Sequence, residues 1–349
     1  MLKSILFTHD DLDGCGCRIV YEIAHSYEKK GDDYDVLNCP NARLDEMVLN
    51  EVESGRMSPG ETVIFFADLC ARVDTLQVLK SKGYTVHIFD HHETNLPALE
   101  IFPDAVVMER NTLGRMVSGT SLLYQYLVEF ATNHPSWEIS KYFVPLPNDL
   151  RFERLAKFVE TVRSYDTYEW KQTGNTQAKE LQTLFFMLGI ENFCAKYVSE
   201  LQKHPESLQL ISDSDMMFVK AKMNFEQSVV DSFTLDDVIP IQLMGEVDQI
   251  MHDGCMIIAN KGAPISEIGY QFLQKHPEFE FMVGVNFNFP GREISFRARD
   301  ESMQLGQNFA ARIGGGGHPK AAGAPMPPAA LDDFIDMMIH VLVGGYNIH

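Results

Sequence analysis

Three consecutive residues, Asp90-His91-His92, offer one carboxylate and two imidazoles at a single place in the chain. They follow the alternating apolar stretch 86–89, which predicts a buried strand that ends at these side chains. Open α/β sheets bind ligands at the carboxyl ends of their strands. A hard oxygen ligand beside imidazole nitrogens suits a divalent metal ion better than an apolar core. The triplet therefore predicts one edge of a metal site.

A second polar group lies near the start of the chain, where His9, Asp11 and Asp13 precede Gly14 directly after a strand predicted at 3–8. A helix follows this turn, and Gly14 allows the tight backbone geometry with which the helix begins. A helix cap would need only one of these carboxylates. Three ligand-type groups therefore favour a metal-binding loop over a simple cap.

Two further carboxylates end predicted elements in the same half of the chain. The apolar stretch 62–67 predicts a strand that ends at Asp68, and the helical pattern 151–164 leads to Asp166, which lies among aromatic residues. Either carboxylate is also compatible with an ordinary cap or hydrogen bond. Alternating strands and helices predict a parallel sheet whose strands share one carboxyl-terminal edge. We therefore expect Asp68 to meet the two polar groups above at that edge.

The rest of this half continues the alternation of strands and helices. A strand is predicted at 34–38, and helices are predicted at about 16–27, 44–54, 72–82 and 122–130. Gly119-Thr120-Ser121 is interpreted as the N-cap of the last of these helices, with phosphate binding as a secondary role. Residues 132–150 contain several Pro, Asn and His residues and predict a loop or insertion.

Composition limits the classes of function. The chain has 349 residues, of which 45% are hydrophobic and 22% charged, and this predicts a globular protein of two domains. The formal net charge of −20 argues against long duplexes, which require a basic face on the protein. It permits a small anionic substrate, because metal ions make a pocket locally positive. No apolar run is long enough to span a bilayer, and the N-terminus does not resemble a signal peptide.

The six cysteines are scattered without the spacing of a disulfide framework, which predicts a reduced, cytoplasmic protein. Cys15 and Cys17 lie near the predicted metal edge and are interpreted as small buried residues. A zinc-dependent hydrolase that uses both thiolates is the alternative, because soft ligands favour zinc.

The second half of the chain has its own candidate site. In the predicted strand 293–299, Arg297 and Arg299 lie on one face and suit bidentate recognition of phosphate. Four glycines, Gly314 to Gly317, precede His318 and are interpreted as having no packing value. On this interpretation, the glycines allow the backbone to approach a ligand closely. A flexible linker is the alternative. The other predicted elements are a helical connector at 191–240, strands at 255–260 and 281–287, and helices at 266–275, 303–312 and 331–343, with a turn at Pro290-Gly291.

Taken together, these motifs resemble the DHH phosphoesterase superfamily, whose signature is Asp90-His91-His92. The pattern His9-x-Asp11-x-Asp13-Gly14 resembles the superfamily's first motif. The strand that ends at Asp68 resembles its second motif, and Asp166 resembles its fourth. The stretch 314–319 and the strand 294–298 resemble the glycine-histidine motif and the S-x-R-[SA] strand of the DHHA1 domain. The motifs occur in family order from residue 9 to residue 323. The implied fold is α/β, with a parallel-sheet DHH domain at 1–190, a connector at 191–240, and a smaller α/β DHHA1 domain at 241–349, with an active-site cleft between the two domains.

Among subfamilies, the chain resembles the nanoRNase B type of bacterial oligoribonuclease. The compact spacing of His9, Asp11 and Asp13 is similar to the RecJ and nanoRNase B style, and pyrophosphatases carry a different C-terminal domain. The resemblance implies a metal-dependent phosphodiesterase that hydrolyses short oligoribonucleotides to nucleoside monophosphates. It implies partners limited to short single-stranded RNA or a dinucleotide, without long duplexes or membranes, and leaves a homodimer open.

The resemblance also implies residue roles. One metal ion would be held by His9, Asp11 and Asp68, and a second by Asp13, Asp68, His91 and Asp166. Both would be Mn²⁺, with Mg²⁺ or Co²⁺ as alternatives, and together they would activate a water molecule. Asp90 would orient a ligand histidine and His92 would lie over the phosphate. In the second domain, Arg297 and His318, with the backbone of Gly315, Gly316 and Gly317, would hold the terminal nucleotide.

Two other readings stay open from the sequence. The same metals would serve a phosphodiesterase of linear or cyclic dinucleotides, or a phosphatase of a bisphosphate nucleotide. A non-catalytic nucleotide sensor is the alternative from another class. The polarity of degradation, the choice of RNA or DNA, and the contribution of Arg115, Arg299 and Lys320 to phosphate binding are also open.

Overall fold

A computed structural model describes residues 3–25, 33–133, 149–259, 264–286 and 293–326, and the chain divides into two units at Lys220 and Ala221. The domain boundaries predicted at residues 190 and 240 stay predictions. Most of the predicted loop at 132–150, the turn at Pro290-Gly291 and the helix at 331–343 lie outside the described residues. In the part of the chain that is described, no helix has the length and apolar character that crossing a membrane requires.

The first unit contains a five-stranded sheet surrounded by helices. Its strands are β1 (Ser4–Thr8), β2 (Tyr34–Asn38), β3 (Val63–Ala67), β4 (Thr85–Asp90) and β5 (Val106–Val107). Its helices are α1 (Leu12–Ala24), α2 (Leu44–Glu53), α3 (Val73–Lys82), α4 (Ala98–Ile101), α5 (Gly119–Asn133), α6 (Leu150–Asp166), α7 (Glu169–Thr173) and α8 (Thr176–Gln202). Helix α9 (Asp213–Ser232) runs across the division between the units.

The sheet has the strand order β2-β1-β3-β4-β5, and every neighbouring pair is parallel. Strand β1 is buried along its whole length, because alternate side chains such as Ile5 and Phe7 enter one core while Leu6 points to the other face. A parallel sheet covered on both faces explains why the strands read as continuous apolar runs. The predicted parallel sheet is confirmed, and its carboxyl-terminal edge is shared by all strands.

The second unit contains a six-stranded mixed sheet in the order β10-β11-β9-β8-β7-β6. Its strands are β6 (Ile239–Met244), β7 (Met251–Ala259), β8 (Phe281–Asn286), β9 (Glu293–Ala298), β10 (Gly316–His318) and β11 (Ala321–Pro325), and its helices are α10 (Ile265–Lys275) and α11 (Leu305–Asn308). Only β7 and β8 pair in parallel among these strands. The predicted α/β character of this half is confirmed.

The single helix predicted at 303–312 is wrong. The backbone of Gln304 is left-handed, with φ of 44°, and Phe309 is also outside the helical region, with φ of −129°. The stretch therefore breaks into short helical turns, with α11 at its centre and 3₁₀ turns at Glu301–Met303 and Ala310–Ile313 on either side.

The interpretation of the four glycines as having no packing value is also wrong. A Cβ atom on Gly315 would lie 2.2 Å from the carbonyl oxygen of Gly323, and one on Gly317 would lie 2.6 Å from the oxygen of Ala321. Gly314 has a positive φ of 76°, which favours glycine. Of the four, only Gly316 has neither a close neighbour nor a positive φ. Close packing against β11 therefore explains much of the run without a ligand.

His252 in β7 predicts a pH-dependent stability. Its ring lies 2.6 Å from Glu280 and 3.0 Å from Asp248. Burial lowers the pKa of His252, but the hydrogen bonds and charges of Glu280 and Asp248 outweigh it and raise the pKa above 6.5. The protonated ring therefore stabilises the folded state below pH 6.5, and this contribution is lost as the pH rises through the raised value.

We expect His252→Gln to lower the free energy of unfolding by about 1 kcal/mol at about pH 5.5 and by much less at about pH 9. Urea unfolding followed by circular dichroism at both pH values measures this difference. His204→Gln, at an exposed position, is the control. An equal loss at both pH values would contradict the assignment.

Candidate metal centre

The carboxyl-terminal edge of the first sheet gathers the predicted ligands. His9 follows β1, Asp68 follows β3, and β4 ends at Asp90. The predicted ligands form two groups, and within each group the ligand atoms lie within 4.8 Å of one another. The first group is His9, Asp11 and Asp68. The second group is Asp13, His91 and Asp166. A third such group joins Asp68 to Asp90, His91 and His92. The six residues predicted as metal ligands are therefore close in space, and His91 links the first two groups because its Nε2 lies 3.3 Å from Asp68 Oδ1.

Asp68 occupies a strained position at the centre of this arrangement. Its φ is +63°, and its N–H donates to the carbonyl of Phe89 at 2.9 Å. Helix α5 begins directly against it, since a Cβ on Gly119 would lie 2.5 Å from the Cβ of Asp68. Non-glycine residues with positive φ are uncommon and concentrate at functional sites. The local backbone is therefore shaped around this carboxylate.

Asp13 is held by the amino-terminal end of α5. Its two carboxylate oxygens accept hydrogen bonds from the N–H groups of Gly119 at 2.7 Å and Thr120 at 3.1 Å. The hydroxyl of Thr120 donates to the carbonyl of Asp13 at 2.6 Å. The two N–H groups suggested from sequence for phosphate are thus engaged by a carboxylate of the protein, which suits the positive end of the helix dipole.

Asp11 serves as both a helix cap and a neighbour of His9. One of its oxygens accepts from the N–H of Gly14 at 3.0 Å, and the other lies 3.0 Å from His9 Nδ1. Desolvation opposes the change, but the His9 contact and the Gly14 hydrogen bond lower the pKa of Asp11 to about 2. Asp11 is therefore ionised at neutral pH, and the capping interpretation does not exclude metal binding.

Several buried polar atoms of the cluster lack hydrogen-bond partners within the described chain. They are Asp68 Oδ2, His91 Nε2 and Asp166 Oδ2. His91 Nδ1 and Asp166 Oδ2 lie 3.5 Å apart, too far for a good hydrogen bond. Unsatisfied buried polar atoms are rare in folded proteins. Carboxylate oxygens and imidazole nitrogens that converge in this way fit divalent cations.

The charges of the cluster lead to the same conclusion. Burial, followed by the charges of Asp13 and Asp11, raises the pKa of Asp68 well above its usual range. The same causes raise the pKa of Asp166. The carboxylates therefore repel one another in the absence of cations, and bound cations would remove this repulsion.

Asp90 is fully buried and organises the end of β4. Its Oδ1 accepts from the N–H of His91 at 2.8 Å and lies 2.8 Å from His92 Nδ1, while Asn95 donates to Oδ2. Burial opposes the change, but His92 and Asn95 lower the pKa of Asp90. Asp90 was predicted to orient a ligand histidine, but the ring that it holds is that of His92. In the turn formed by Asp90-His91-His92, the ring two residues after Asp90 lies within hydrogen-bond distance of its carboxylate.

The predicted nucleotide-binding residues all lie in the second unit. One guanidinium nitrogen of Arg297 donates to Ser266 Oγ at 2.7 Å and another to the carbonyl of Phe296 at 2.7 Å. His318 ends β10 at an exposed position, next to Gly316 and Gly317. Their role in binding stays a prediction.

The three additional candidates for phosphate binding have different surroundings. Arg299 donates to the main-chain oxygens of Leu273, His276 and Phe279, so it stabilises the end of α10. Arg115 is paired with two glutamates of the first unit, Glu160 and Glu169. Lys320 is exposed.

Sequence reasoning missed residues that support the cluster from behind. Asn38, at the end of β2, donates to the carbonyl of His9 at 2.7 Å. The buried Arg18 donates to Asn38 Oδ1 at 3.1 Å and to Glu191. The only sequence signal was a polar residue at the end of a further predicted strand.

Cys15 and Cys17 are buried free thiols, as interpreted from sequence. Burial and the charge of Asp13 raise the pKa of the Cys17 thiol, and its sulfur lies 3.6 Å from the hydroxyl of Thr120. Among the described residues, neither cysteine belongs to a group with metal-ligand spacing. The geometry therefore favours the oxygen and imidazole ligands over a zinc thiolate site.

Comparison with known proteins gives one curated relative and several similar folds. The chain is 29% identical over 337 residues to the oligoribonuclease NrnB of Bacillus subtilis (strain 168), covering 95% of this chain and 74% of NrnB. Its fold is similar to that of RecJ from Thermus thermophilus in complex with Mn²⁺, with a TM-score of 0.51, 13% identity, and coverage of 99% of this chain and 52% of RecJ. A structure of exonuclease RecJ bound to manganese matches with a TM-score of 0.50 and 14% identity, covering 95% and 88% of the two chains.

No protein-family model matches the chain. The sequence match nevertheless runs through both units, and the motifs lie on the strands and helix ends that bring them together. The similarity to NrnB over 95% of the chain and the similar fold of RecJ agree with the resemblance to the DHH/DHHA1 phosphoesterase superfamily.

Proposed function

We propose that this chain is a metal-dependent phosphodiesterase that hydrolyses short oligoribonucleotides to nucleoside monophosphates. The observation that carries the proposal is the pair of ligand groups in contact through Asp68 and His91. The relative named oligoribonuclease NrnB supports the choice of substrate. The proposal includes a cytoplasmic location, which the six free cysteines support, and leaves a homodimer open.

In this proposal, His9, Asp11 and Asp68 hold one divalent cation, and Asp13, Asp68, His91 and Asp166 hold the other. Mn²⁺ is the proposed ion, with Mg²⁺ and Co²⁺ as alternatives, because oxygen ligands predominate. When bound, two such cations stabilise charge on an attacked phosphate and lower the pKa of water.

The remaining side chains orient the substrate and move a proton. Asp90 accepts a hydrogen bond from Nδ1 of His92, so Nε2 of the doubly protonated ring is the atom proposed to donate a hydrogen bond or proton to the phosphate. The side chain of His92 is 35% exposed and accessible to a ligand. Arg297, His318 and the backbone of Gly315–Gly317 are proposed to hold the terminal nucleotide.

The test compares substrate lengths with Mn²⁺ present. We expect a 5′-labelled RNA trimer to be hydrolysed at least about tenfold faster than a 24-mer at equal concentration, because a net charge of −20 disfavours a long polyanion. Cyclic dinucleotide, bisphosphate nucleotide and pyrophosphate complete the panel. Faster hydrolysis of the 24-mer would overturn the short-substrate claim, and binding of the trimer without product would favour a sensor.

A further inference from the structure

Three aromatic residues, Tyr165, Tyr168 and Trp170, surround Asp166 in the sequence and form what we call the aromatic platform. The rings of Tyr165 and Trp170 are nearly parallel, with an interplanar angle of 9° and centroids 5.9 Å apart. Tyr168 is a large side chain two residues after Asp166 in the chain, and it is 49% exposed. An ordinary core role therefore does not explain this ring.

Tyr168 also has an unusual backbone. Its φ is +58°, at the junction where α6 ends and α7 begins. Its N–H donates to the carbonyl of Tyr165, and its own carbonyl accepts from Lys171. Glycine or asparagine is the ordinary residue in this conformation, and strain of this kind concentrates at functional sites.

The junction is held rigidly by charged side chains. The buried Arg163 donates to Glu169 at 2.6 Å, and Arg115 donates to the other oxygen of Glu169 at 3.2 Å. Glu169 directly follows Tyr168 in the chain, and Arg163 lies one turn before Asp166. These contacts fix the position of Tyr168 relative to the proposed metal ligand Asp166.

A positive charge accompanies the rings. The ammonium group of Lys171 lies 5.3 Å from the centroid of Tyr168 and 5.4 Å from that of Trp170. Proteins that bind single strands combine exposed aromatic rings with cationic side chains, since every nucleobase has a face that stacks. The platform offers both features next to Asp166.

We propose that Tyr168 stacks on a nucleobase of the substrate, adjacent to the phosphate that reacts at the metal centre. Lys171, whose ammonium group lies near the rings of both Tyr168 and Trp170, contributes attraction for the nucleotide backbone. This inference rests on the proposed function and deepens it, because it predicts a preference for unpaired nucleotides over phosphoesters that lack a base. A base within a duplex is stacked on its neighbours and does not reach such a ring.

The experiment combines enzyme variants with modified substrates. The variant Tyr168→Leu removes the ring but keeps a Cβ atom, so it does not relieve the backbone strain. Each variant is assayed with Mn²⁺ on an intact RNA trimer and on trimers in which one nucleotide at a time is abasic. Tyr168→Phe restores the ring, and Phe218→Leu, at a position that is 65% exposed in α9, is the matched control.

We expect Tyr168→Leu to lower kcat/KM on the intact trimer by about 5- to 150-fold, the range for losing one base–aromatic contact. Tyr168→Phe should recover most of this loss, and Phe218→Leu should have no effect. For one of the abasic trimers, the kcat/KM of wild type should be lower than on the intact trimer by a similar factor. On that same abasic trimer, Tyr168→Leu should have the same kcat/KM as wild type. The rise in Tm caused by Mn²⁺ should be the same in Tyr168→Leu and wild type.

Different failures have different meanings. If wild type hydrolyses the trimer and Tyr168→Leu equals it, the stacking inference is overturned while the proposed function stands. The stacking inference is also overturned if Tyr168→Leu lowers kcat/KM by the same factor on the intact trimer and on every abasic trimer. The effect of the ring would then not depend on a nucleobase. If wild type hydrolyses none of the trimers, the proposed function fails and this inference fails with it.

Discussion

The variant Asp68→Asn is expected to reduce Mn²⁺-dependent hydrolysis of an RNA trimer by about 1,000-fold, on the scale of losing a principal stabiliser of transition-state charge. Asp68 shares a ligand group with His9 and Asp11 and lies 3.3 Å from His91, which belongs to the group with Asp13 and Asp166, so its charge would serve both proposed cations. Asparagine keeps the shape of the side chain and tolerates the φ of +63° better than alanine. A loss of activity in this variant is therefore attributable to charge rather than to backbone conformation.

The same variant is expected to raise the Tm of the metal-free protein by a few degrees. Burial and the charges of Asp13 and Asp11 raise the pKa of Asp68, so its ionised form is unfavourable in the fold without cations. The neutral amide removes this repulsion. At a free Mn²⁺ concentration of roughly one hundred times the Kd, the free energy of unfolding of wild type should rise by about 2.7 kcal/mol. That of the variant should rise much less.

Measurements of initial rates and of Tm with and without Mn²⁺ check both expectations. Asp104→Asn, an exposed carboxylate of the same unit, is the matched control and should behave as wild type. Near-normal turnover in Asp68→Asn would rule out the shared role of this carboxylate.

The second large effect is expected from Gly119→Ala, at the start of α5. The added Cβ would lie 2.5 Å from the Cβ of Asp68 and 2.6 Å from its Cα, and neither atom can move by rotation of a side chain. Either α5 or the Asp68 backbone must shift, and the N–H of Gly119 then moves away from Asp13. We expect a loss of about 3 kcal/mol in the free energy of unfolding, from overpacking together with a weakened buried hydrogen bond.

Urea unfolding and Mn²⁺ titration measure this variant. The apparent affinity for Mn²⁺ should fall as well, because Asp68 and Asp13 belong to different ligand groups and both are displaced. Gly316→Ala is the control for stability, since its Cβ would meet no atom within 4 Å. Wild-type stability and Mn²⁺ affinity in Gly119→Ala would show that the contact is not constrained as the structure indicates.

The sequence allowed the ends of the strands to be predicted because each apolar run stops at a polar side chain. Asp68 and Asp90 mark the ends of β3 and β4, and the alternation with helices indicates that these ends share an edge. The ligand residues were therefore accessible to prediction as a group. Their assignment to particular cations came from resemblance to a family and not from the spacing.

Contacts between distant segments were not accessible in this way. The close approach of Gly119 to Asp68 depends on how α5 packs, and no local pattern encodes it. The partner of Asp90 depends on the rotamer of a neighbouring histidine, since both rings have a nitrogen within 4.8 Å of its carboxylate but only that of His92 lies at hydrogen-bond distance. In the second unit, the small residues of β11 were the available signal that Gly315 and Gly317 pack against another strand.

The bond between Asp13 and α5 has a consequence for how the protein is made. Asp13 binds main-chain groups 106 and 107 residues further along the chain, and the proposed ligands extend to Asp166. During synthesis, Asp166 emerges from the ribosome after the other members of its ligand group, Asp13 and His91. Until it emerges, that group is incomplete. If the proposed metal ions bind, tight binding would therefore follow the folding of the first sheet with α5 and α6, because shorter chains lack part of the ligand set. In the proposed function, metal binding would then stabilise this part of the first unit once α6 has folded.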